Sequence, residues 1–292
     1  MKHLFVSVII PTYHDWEHLK LCINALRGQT YPAKYFEVII INNAPEDTIP
    51  QLDLPDNFRI ISESKPGSYA ARNKGIYSAK GEILAFTDSD CIPCPDWIEQ
   101  AVKLLVGGAQ RVAGRMELFY KSDKLTPAEI YEKAFAFDQL KSTKLGGALT
   151  ANMITWKDNF AKVGLFNDSL MSGGDNAWGW RAQEKGINVV YAPFVVVRHP
   201  ARNTMRELLI KEKRIVGGFI DIERILPRSE LWKRFLHNLL PPIKPFFRLI
   251  PKKDLSLLEK IVAGSVLMYL YLYRIYQRIR IAINQIGYIK QK

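Results

Sequence analysis

The chain has 292 residues, 48% hydrophobic and 24% charged, enough apolar material for one large α/β domain with an appendage and too much for a disordered chain. Three cysteines, an odd number, exclude a disulfide scaffold and point to a reducing compartment. The net charge of +12 is uneven: residues 1–199 carry 22 basic and 22 acidic side chains, residues 200–292 carry 19 and 7, so the C-terminal third is built for an anionic surface.

The first apolar run, 7–10, is closed by Pro11 and reads as a strand; it is too short for a signal peptide. Trp16, Leu19, Cys22, Ile23 and Leu26 follow at helical spacing, and Pro32 stops that helix. Strands are expected at 36–42 and, more weakly, at 58–62. A helix is expected over 68–81, with Gly81 near its end. The run Ile83, Leu84, Ala85, Phe86 is a fourth strand. Continuous apolar strands separated by helices argue for a parallel sheet covered on both faces. Beyond residue 110 a strand is expected at 112–120. A helix over 126–140 opens on a capping box of Thr126 and Glu129 with Pro127 at its first position. A helix over 175–186, a strand over 188–200 and a helix running from Thr204 toward Gly217 complete the pattern.

The last stretch is different in kind. Residues 231–253 mix aromatic, basic and proline residues, and 257–288 is apolar, tyrosine-rich and basic. Its uncharged core, 261–273, is shorter than the roughly 20 residues of a spanning helix. An interfacial helix on anionic lipid is the first expectation. A helical hairpin in the interface is the variant of that reading; packing against the domain or a second subunit is the alternative, which leaves an oligomer open, and a true span is the last. Nucleic acid is not expected, because the aromatics sit in Leu/Ile runs. Cys91 and Cys94 have C-x-x-C spacing without a second pair, and read as packed thiols.

The chemistry is expected where the fourth strand ends, at Asp88, Ser89 and Asp90. In a strand, residues i and i+2 share a side, so both carboxylates would face one place at the carboxyl edge of the sheet. Like charges there need a cation between them, and a hard divalent ion completed by phosphate oxygens suits them. D-x-D alone is a weak signal. It stands in an ordered set: "SVIIPTYHDWEHLKLCINALRGQTYP", "EVIIINNAPED", "KPGSYAARNKGIYSAKGEILAFTDSDCIPCPDW" and "MSGGDNAWGWRAQEKG". Together these resemble the family 2 glycosyltransferases, over about residues 4–200.

The resemblance implies a GT-A fold, a mainly parallel α/β sheet flanked by helices; the composition of the tail adds a C-terminal helical extension expected to associate with a membrane. The expected division is a catalytic domain at 1–220 and a basic, aromatic-rich region at 221–292. It also implies an inverting, metal-dependent enzyme that uses Mg²⁺ or Mn²⁺ and a nucleotide-sugar donor, UDP-sugar foremost. Pro11, Thr12 and Tyr13 would line the nucleoside pocket, Asn42 and Asn43 would face the base, and Arg72 would lie near phosphate or ribose. Asp88, Ser89 and Asp90 would hold ribose and metal, with His199 a looser match for a metal or phosphate contact. Asp175, in "GGD", would be the catalytic base.

Asn42 and Asn43 replace the family's acids, so guanine- or thymidine-based donors stay open. "GGD" lacks the glutamate that often precedes the base, which leaves the acceptor contacts open. The Q-x-x-R-W motif and membrane spans of the processive members are missing, so transfer of one or a few sugars to a saccharide or lipid-linked acceptor is expected, by a cytoplasmic protein peripheral to the inner face of the membrane. The alternatives are a catalytically silent binding module of this fold and, more remotely, a sugar nucleotidylyltransferase, which needs a glycine-rich basic loop that "PTYHDWEH" does not supply.

Overall fold

The computed structural model describes residues 4–224 and 240–290. The chain divides into two compact units, Met1–Phe119 with Phe137–Pro200, and Tyr120–Ala136 with Ala201–Lys292.

In the first unit, β1 (Val6–Thr12), β2 (Phe36–Asn42), β3 (Phe58–Ser62) and β4 (Ile83–Phe86) form a parallel block in the order β3-β2-β1-β4. Their side chains are apolar on both faces because helices cover both. Val6, Val8 and Ile10 pack with Leu19, Cys22 and Leu26 of α1 (Trp16–Arg27), in the core that also takes Trp97, Ala101 and Leu105 of α3 (Trp97–Val106). On the other face α2 (Ser68–Ser78) lies against β1 and β2, and Phe86 meets Phe160 of α6 (Asp158–Val163). Phe160 in turn stacks on Trp178 of α7 (Gly174–Glu184) at 4.5 Å.

The sheet continues through β7 (Met153–Trp156), β6 (Arg111–Phe119), β8 (Val189–Pro200) and the two-residue β5 (Ile92–Pro93). β7 runs antiparallel to both β4 and β6, and β8 is parallel to β6. Two reversals restore the original direction, so β8 ends at the same edge as β1 and β4. The β6–β8 register shifts between Gly114 and Arg115. Asn152 plugs that bulge: its amide donates to Arg115 O and Val195 O at 2.9 and 3.0 Å, and its oxygen accepts from Trp97 Nε1 at 2.8 Å. A methyl on Gly114 would stand 2.3 Å from both Asn152 and Val195 O, so the position requires glycine.

The helix expected over 126–140 is two helices. α4 (Pro127–Phe135) starts on the anticipated capping box, and α5 (Gln139–Lys144) starts afresh with Asp138 accepting from Lys141 N at 3.0 Å. Between them Phe137 has φ +49°, which no helix interior accommodates. The strands β5 and β7 and the helix α6 are short and were not anticipated; α3 was also missed, although its buried Trp97, Ile98, Ala101, Val102 and Leu105 recur at helical spacing.

In the second unit, α4 packs with α8 (Met205–Arg224) and α10 (Leu257–Lys290), and α9 (Ile243–Phe247) precedes α10. Ala128, Tyr131, Leu208, Leu267 and Leu270 form one small core, and Ile130, Leu249, Leu255 and Ala263 another. α8 runs past Gly217 and belongs to this unit because Leu208 joins its core, so the packing divides at 200 where the sequence reading placed 220. Of the mixed stretch at 231–253, residues up to 239 lie outside the described residues. Among the described residues no helix is long and apolar enough to cross a membrane.

Candidate functional site

The anticipated residues gather at the carboxyl edge of the parallel strands, where chain ends and helix starts leave polar groups to be satisfied. Thr12 closes β1 and is buried, with Pro11 half-buried beside it and Tyr13 exposed. Tyr13 meets His14 edge-on at 4.1 Å. The Thr12 and Thr87 hydroxyls and Arg72 Nε are buried and have no hydrogen-bond partner among the described residues. Buried polar atoms are nearly always bonded, so orphans clustered at strand ends suit a ligand rich in hydroxyl and phosphate groups.

Asn42 and Asn43 differ in what they do. Asn42 Oδ1 accepts from Ala44 N at 3.0 Å. Asn43 donates to Glu63 O and Lys65 O, both at 2.8 Å, and accepts from Gly67 N at 2.8 Å. Its amide is consumed in tying the loop before α2 to the end of β2. Gly67, at φ +116°, then starts α2, whose first turns carry Tyr69 and Arg72. Ser89 likewise points into the protein, donating to Asp15 Oδ2 at 2.8 Å.

Asp88 and Asp90 do not share a strand face. β4 stops at Phe86, and a turn closed by Cys91 N donating to Asp88 O at 3.1 Å carries both carboxylates off the pleat. Asp88 pairs with Arg72 Nη2, whose guanidinium lies 5.7 Å from the centre of the Tyr69 ring. Asp90 goes to the other side. β5 pairs Ile92 with Arg198, which sets the chain just before it against the end of β8. Asp90 Oδ2 thereby lies 3.3 Å from His199 Nε2.

The His199 ring is buried, with Phe137 against it at 4.5 Å, and its Nδ1 is 2.7 Å from Pro200 O. With Nδ1 placed to donate to that carbonyl, Nε2 faces the Asp90 carboxylate, and a contact this close needs a proton or a cation between the two. A carboxylate and an imidazole at this spacing fit two neighbouring ligands of one hard divalent ion, with the orienting second hydrogen bond that metal-bound histidines use. Cys91 Sγ is the third ligand-type atom of the group, all within 4.8 Å of one another. Burial holds its thiol well above the usual pKa, so it stays protonated and leaves such an ion to oxygen and nitrogen.

Asp175 lies in the first turn of α7, and the helix cap is Gly173, in the left-handed region at φ +78°. The carboxylate is thus not a capping group. Asp175 Oδ1 accepts from Tyr69 Oη at 3.1 Å and from Asn176 N at 2.9 Å. Burial pushes its pKa up; the Asn176 N–H, the Arg72 charge, the Tyr69 hydroxyl and the Thr150 N–H oppose that rise. Such a group is a carboxylate with raised basicity, suited to taking a proton.

Three supports were missed in the sequence. Tyr69, one turn before Arg72 in "SYAAR", could have been found from helical spacing. Arg111 is fully buried and donates to Ile187 O, Gly146 O and Gly179 O while facing Trp178, which anchors the back of α7; burial brings its pKa down to about 10. Asn152, with no local signal, holds the bulge that aims β8.

Comparison with known proteins identifies the family and the fold. The model of glycosyl transferase family 2 matches residues 7–161. Glycosyltransferase AglE of Haloferax volcanii is 39% identical over 227 residues, covering 75% of this chain and 74% of its own. Of several further curated relatives this chain spans less than half the length. Among solved structures, the mannosyltransferase PcManGT from Pyrobaculum calidifontis, in complex with GDP-Man and Mn²⁺, superposes with a TM-score of 0.58 at 18% identity over 96% of this chain and 87% of its own. S. aureus TarS residues 1–349, in complex with UDP-GlcNAc, gives 0.54 at 16% identity over 90% and 79%. These two show the fold, GT-A, with its mostly parallel sheet between helices. The family match and the 39% relative show more: this chain is a glycosyltransferase and belongs to glycosyl transferase family 2.

Proposed function

We propose that the chain transfers a single sugar, with inversion, from a nucleotide-diphosphate sugar to a hydroxyl of a saccharide or lipid-linked acceptor. The observation that carries this is the Asp90 carboxylate facing His199 Nε2 at 3.3 Å, together with the buried Asp175, which bonds Tyr69 beside the Arg72–Asp88 pair. Asp90 and His199 would hold Mg²⁺ or Mn²⁺, a Lewis acid for charge developing on the leaving diphosphate. Arg72, with Asp88 beside it, adds a fixed positive charge for that diphosphate, and Asp88 offers its remaining oxygen to the ribose. Thr12 and Asn42 line the nucleoside side, with Tyr13 exposed at its rim. The acceptor oxygen attacks the anomeric carbon, the bond from that carbon to the diphosphate breaks, and the acceptor proton passes to Asp175. The solved neighbours bind GDP-Man and UDP-GlcNAc, which supports a nucleotide-sugar donor here; a UDP-sugar is our first assignment. With a lipid-linked acceptor the protein works peripherally, at the cytoplasmic face of a membrane.

The test is hydrolysis of a panel of nucleotide sugars with Mn²⁺, with Mg²⁺ and with chelator, for the native chain and for Asp90→Asn. Metal-dependent release of one nucleoside diphosphate, lost in Asp90→Asn, is expected and names the donor. Native chain that neither turns over nor binds nucleotide in a metal-dependent way would instead be a silent binding module.

A further inference from the structure

α10 is apolar on two faces, and the second unit uses one. Ala263, Val266, Leu267 and Leu270 face its own core. On the opposite side Leu257, Leu258, Ile261, Tyr269, Leu272 and Tyr276 fall on one face of the helix and stand exposed, Leu257 at 76% and Leu258 at 70%. The exposed stripe reaches Ile283, about 39 Å along the helix at 1.5 Å per residue. α9 extends it: Phe246 packs so tightly at Gly264 that a methyl there would meet its ring at 2.8 Å, while Phe247 and Ile250 are 66% and 67% exposed. Exposed apolar surface of this extent marks a docking face.

We infer that this face of α9 and α10 lies flat in the headgroup region of an anionic bilayer. The argument for that occupant is charge. Residues 240–290 carry nine basic side chains and two acidic ones, with Lys244, Arg248, Lys252 and Lys253 beside the exposed Phe247 and Ile250. Of the two acids, Glu259 is already bonded to Lys133. A second copy brought to this face by a two-fold axis sets like charge on like charge, whereas acidic lipid complements it. The helix cannot span, because its other face is committed to protein, and in-plane insertion is what remains. This deepens the peripheral reading above, and its test needs no substrate.

The full chain is sedimented with vesicles of phosphatidylcholine alone or with phosphatidylglycerol added, at low and high salt, alongside Phe247→Glu/Leu257→Glu and Lys252→Glu/Lys253→Glu. Circular dichroism checks that the variants fold. Expected are co-sedimentation with the anionic vesicles, weakening by about fivefold per removed lysine charge and in high salt, and loss in the Phe247/Leu257 variant. Native chain that stays in the supernatant with both vesicle types would overturn the inference. So would a stable dimer that Phe247→Glu/Leu257→Glu dissociates, since a second copy would then cover the face.

A separate observation, inside the site, carries a second inference. One ring touches both halves of the chemistry: Tyr69 donates to Asp175, packs beside the Arg72 guanidinium, and lies where a methyl on Gly174 would stand 2.8 Å from it. We propose that Tyr69 is a positioning residue that fixes one oxygen of Asp175 and favours its ionised form. Burial keeps the phenol protonated, so it remains a donor. Arg72 on α2 is the charged group acting on Asp175; the other groups facing it are the Tyr69 hydroxyl and the N–H groups of Asn176 and Thr150.

Tyr69→Phe keeps the ring and removes the bond. With the donor found by the panel and water as acceptor, nucleotide affinity should hold within about twofold while kcat falls about tenfold, the loss of one neutral hydrogen bond to a charged group. The acid limb of the kcat profile should move to higher pH, because the carboxylate loses a donor. A limb that superimposes on that of the native chain overturns the inference, provided Asp175→Asn is inactive. If Asp175→Asn turns over normally, it is the base assignment that fails, and the role of Tyr69 fails with it.

Discussion

Burial disfavours a charge on Asp175. Its raised pKa means the folded chain binds the proton more tightly than the unfolded chain does. Its contribution to stability is therefore full below the unfolded pKa and lost as pH rises through the folded one. Asp175→Asn removes the charge and leaves an oxygen for Tyr69 and for the Asn176 N–H. We expect transfer to fall about 10²–10⁴-fold, the usual worth of a positioned base, with the urea midpoint at neutral pH maintained or raised. A lowered midpoint would mark the carboxylate as structural. His199 gives a second check at this scale. Mn²⁺ with a nucleoside diphosphate should raise Tm, by about 2.7 kcal/mol of stability at a hundredfold excess over Kd, and chelator or His199→Ala should cancel the shift.

At the scale of elements, the site depends on how β8 is delivered. The bulge at Gly114 turns its second half, β5 pairs with it, and Asn152 satisfies three buried groups of the bulge and α3. Asn152→Ala leaves two carbonyls and an indole N–H without partners, and should cost about 2–4 kcal/mol in a urea titration. Gly114→Ala should be comparably costly, since its methyl meets backbone that cannot retreat. In both variants divalent-ion binding should weaken along with stability, because the residues skipped in the register lie in β8 between Ala192 and Val196, and His199 follows three residues after Val196; metal affinity unchanged in a folded variant would separate the two. The second unit has its own joint. Arg274 of α10 bonds the buried Glu212 of α8 at 2.5 and 2.9 Å. Arg274→Met strands that carboxylate and should cost about 3–5 kcal/mol, and adding Glu212→Met should recover most of it.

For the whole molecule, the parallel block was legible because its strands are unbroken apolar runs between helices, a pattern that only a sheet covered on both faces produces. The residue types of the site were legible too: short polar clusters directly after such runs fall at the carboxyl edge, wherever the chain goes next. What the sequence could not show is which groups meet. Asp88 turns to Arg72 and Asp90 to His199 because the strand ends two residues early and a two-residue strand more than a hundred residues from His199 in sequence closes the gap. Asn43 is spent on a loop, and Tyr69 finds Asp175 across 106 positions. The same limit applies to α10, whose sequence offers more than one apolar face and so does not say which face packs. Local pattern determined β1 to β4, α1, α2 and the residue types at their ends, since those depend on neighbours within a few residues. Partner choice and the exposed face belong to tertiary structure alone, because they depend on contacts whose separation along the chain no local period encodes.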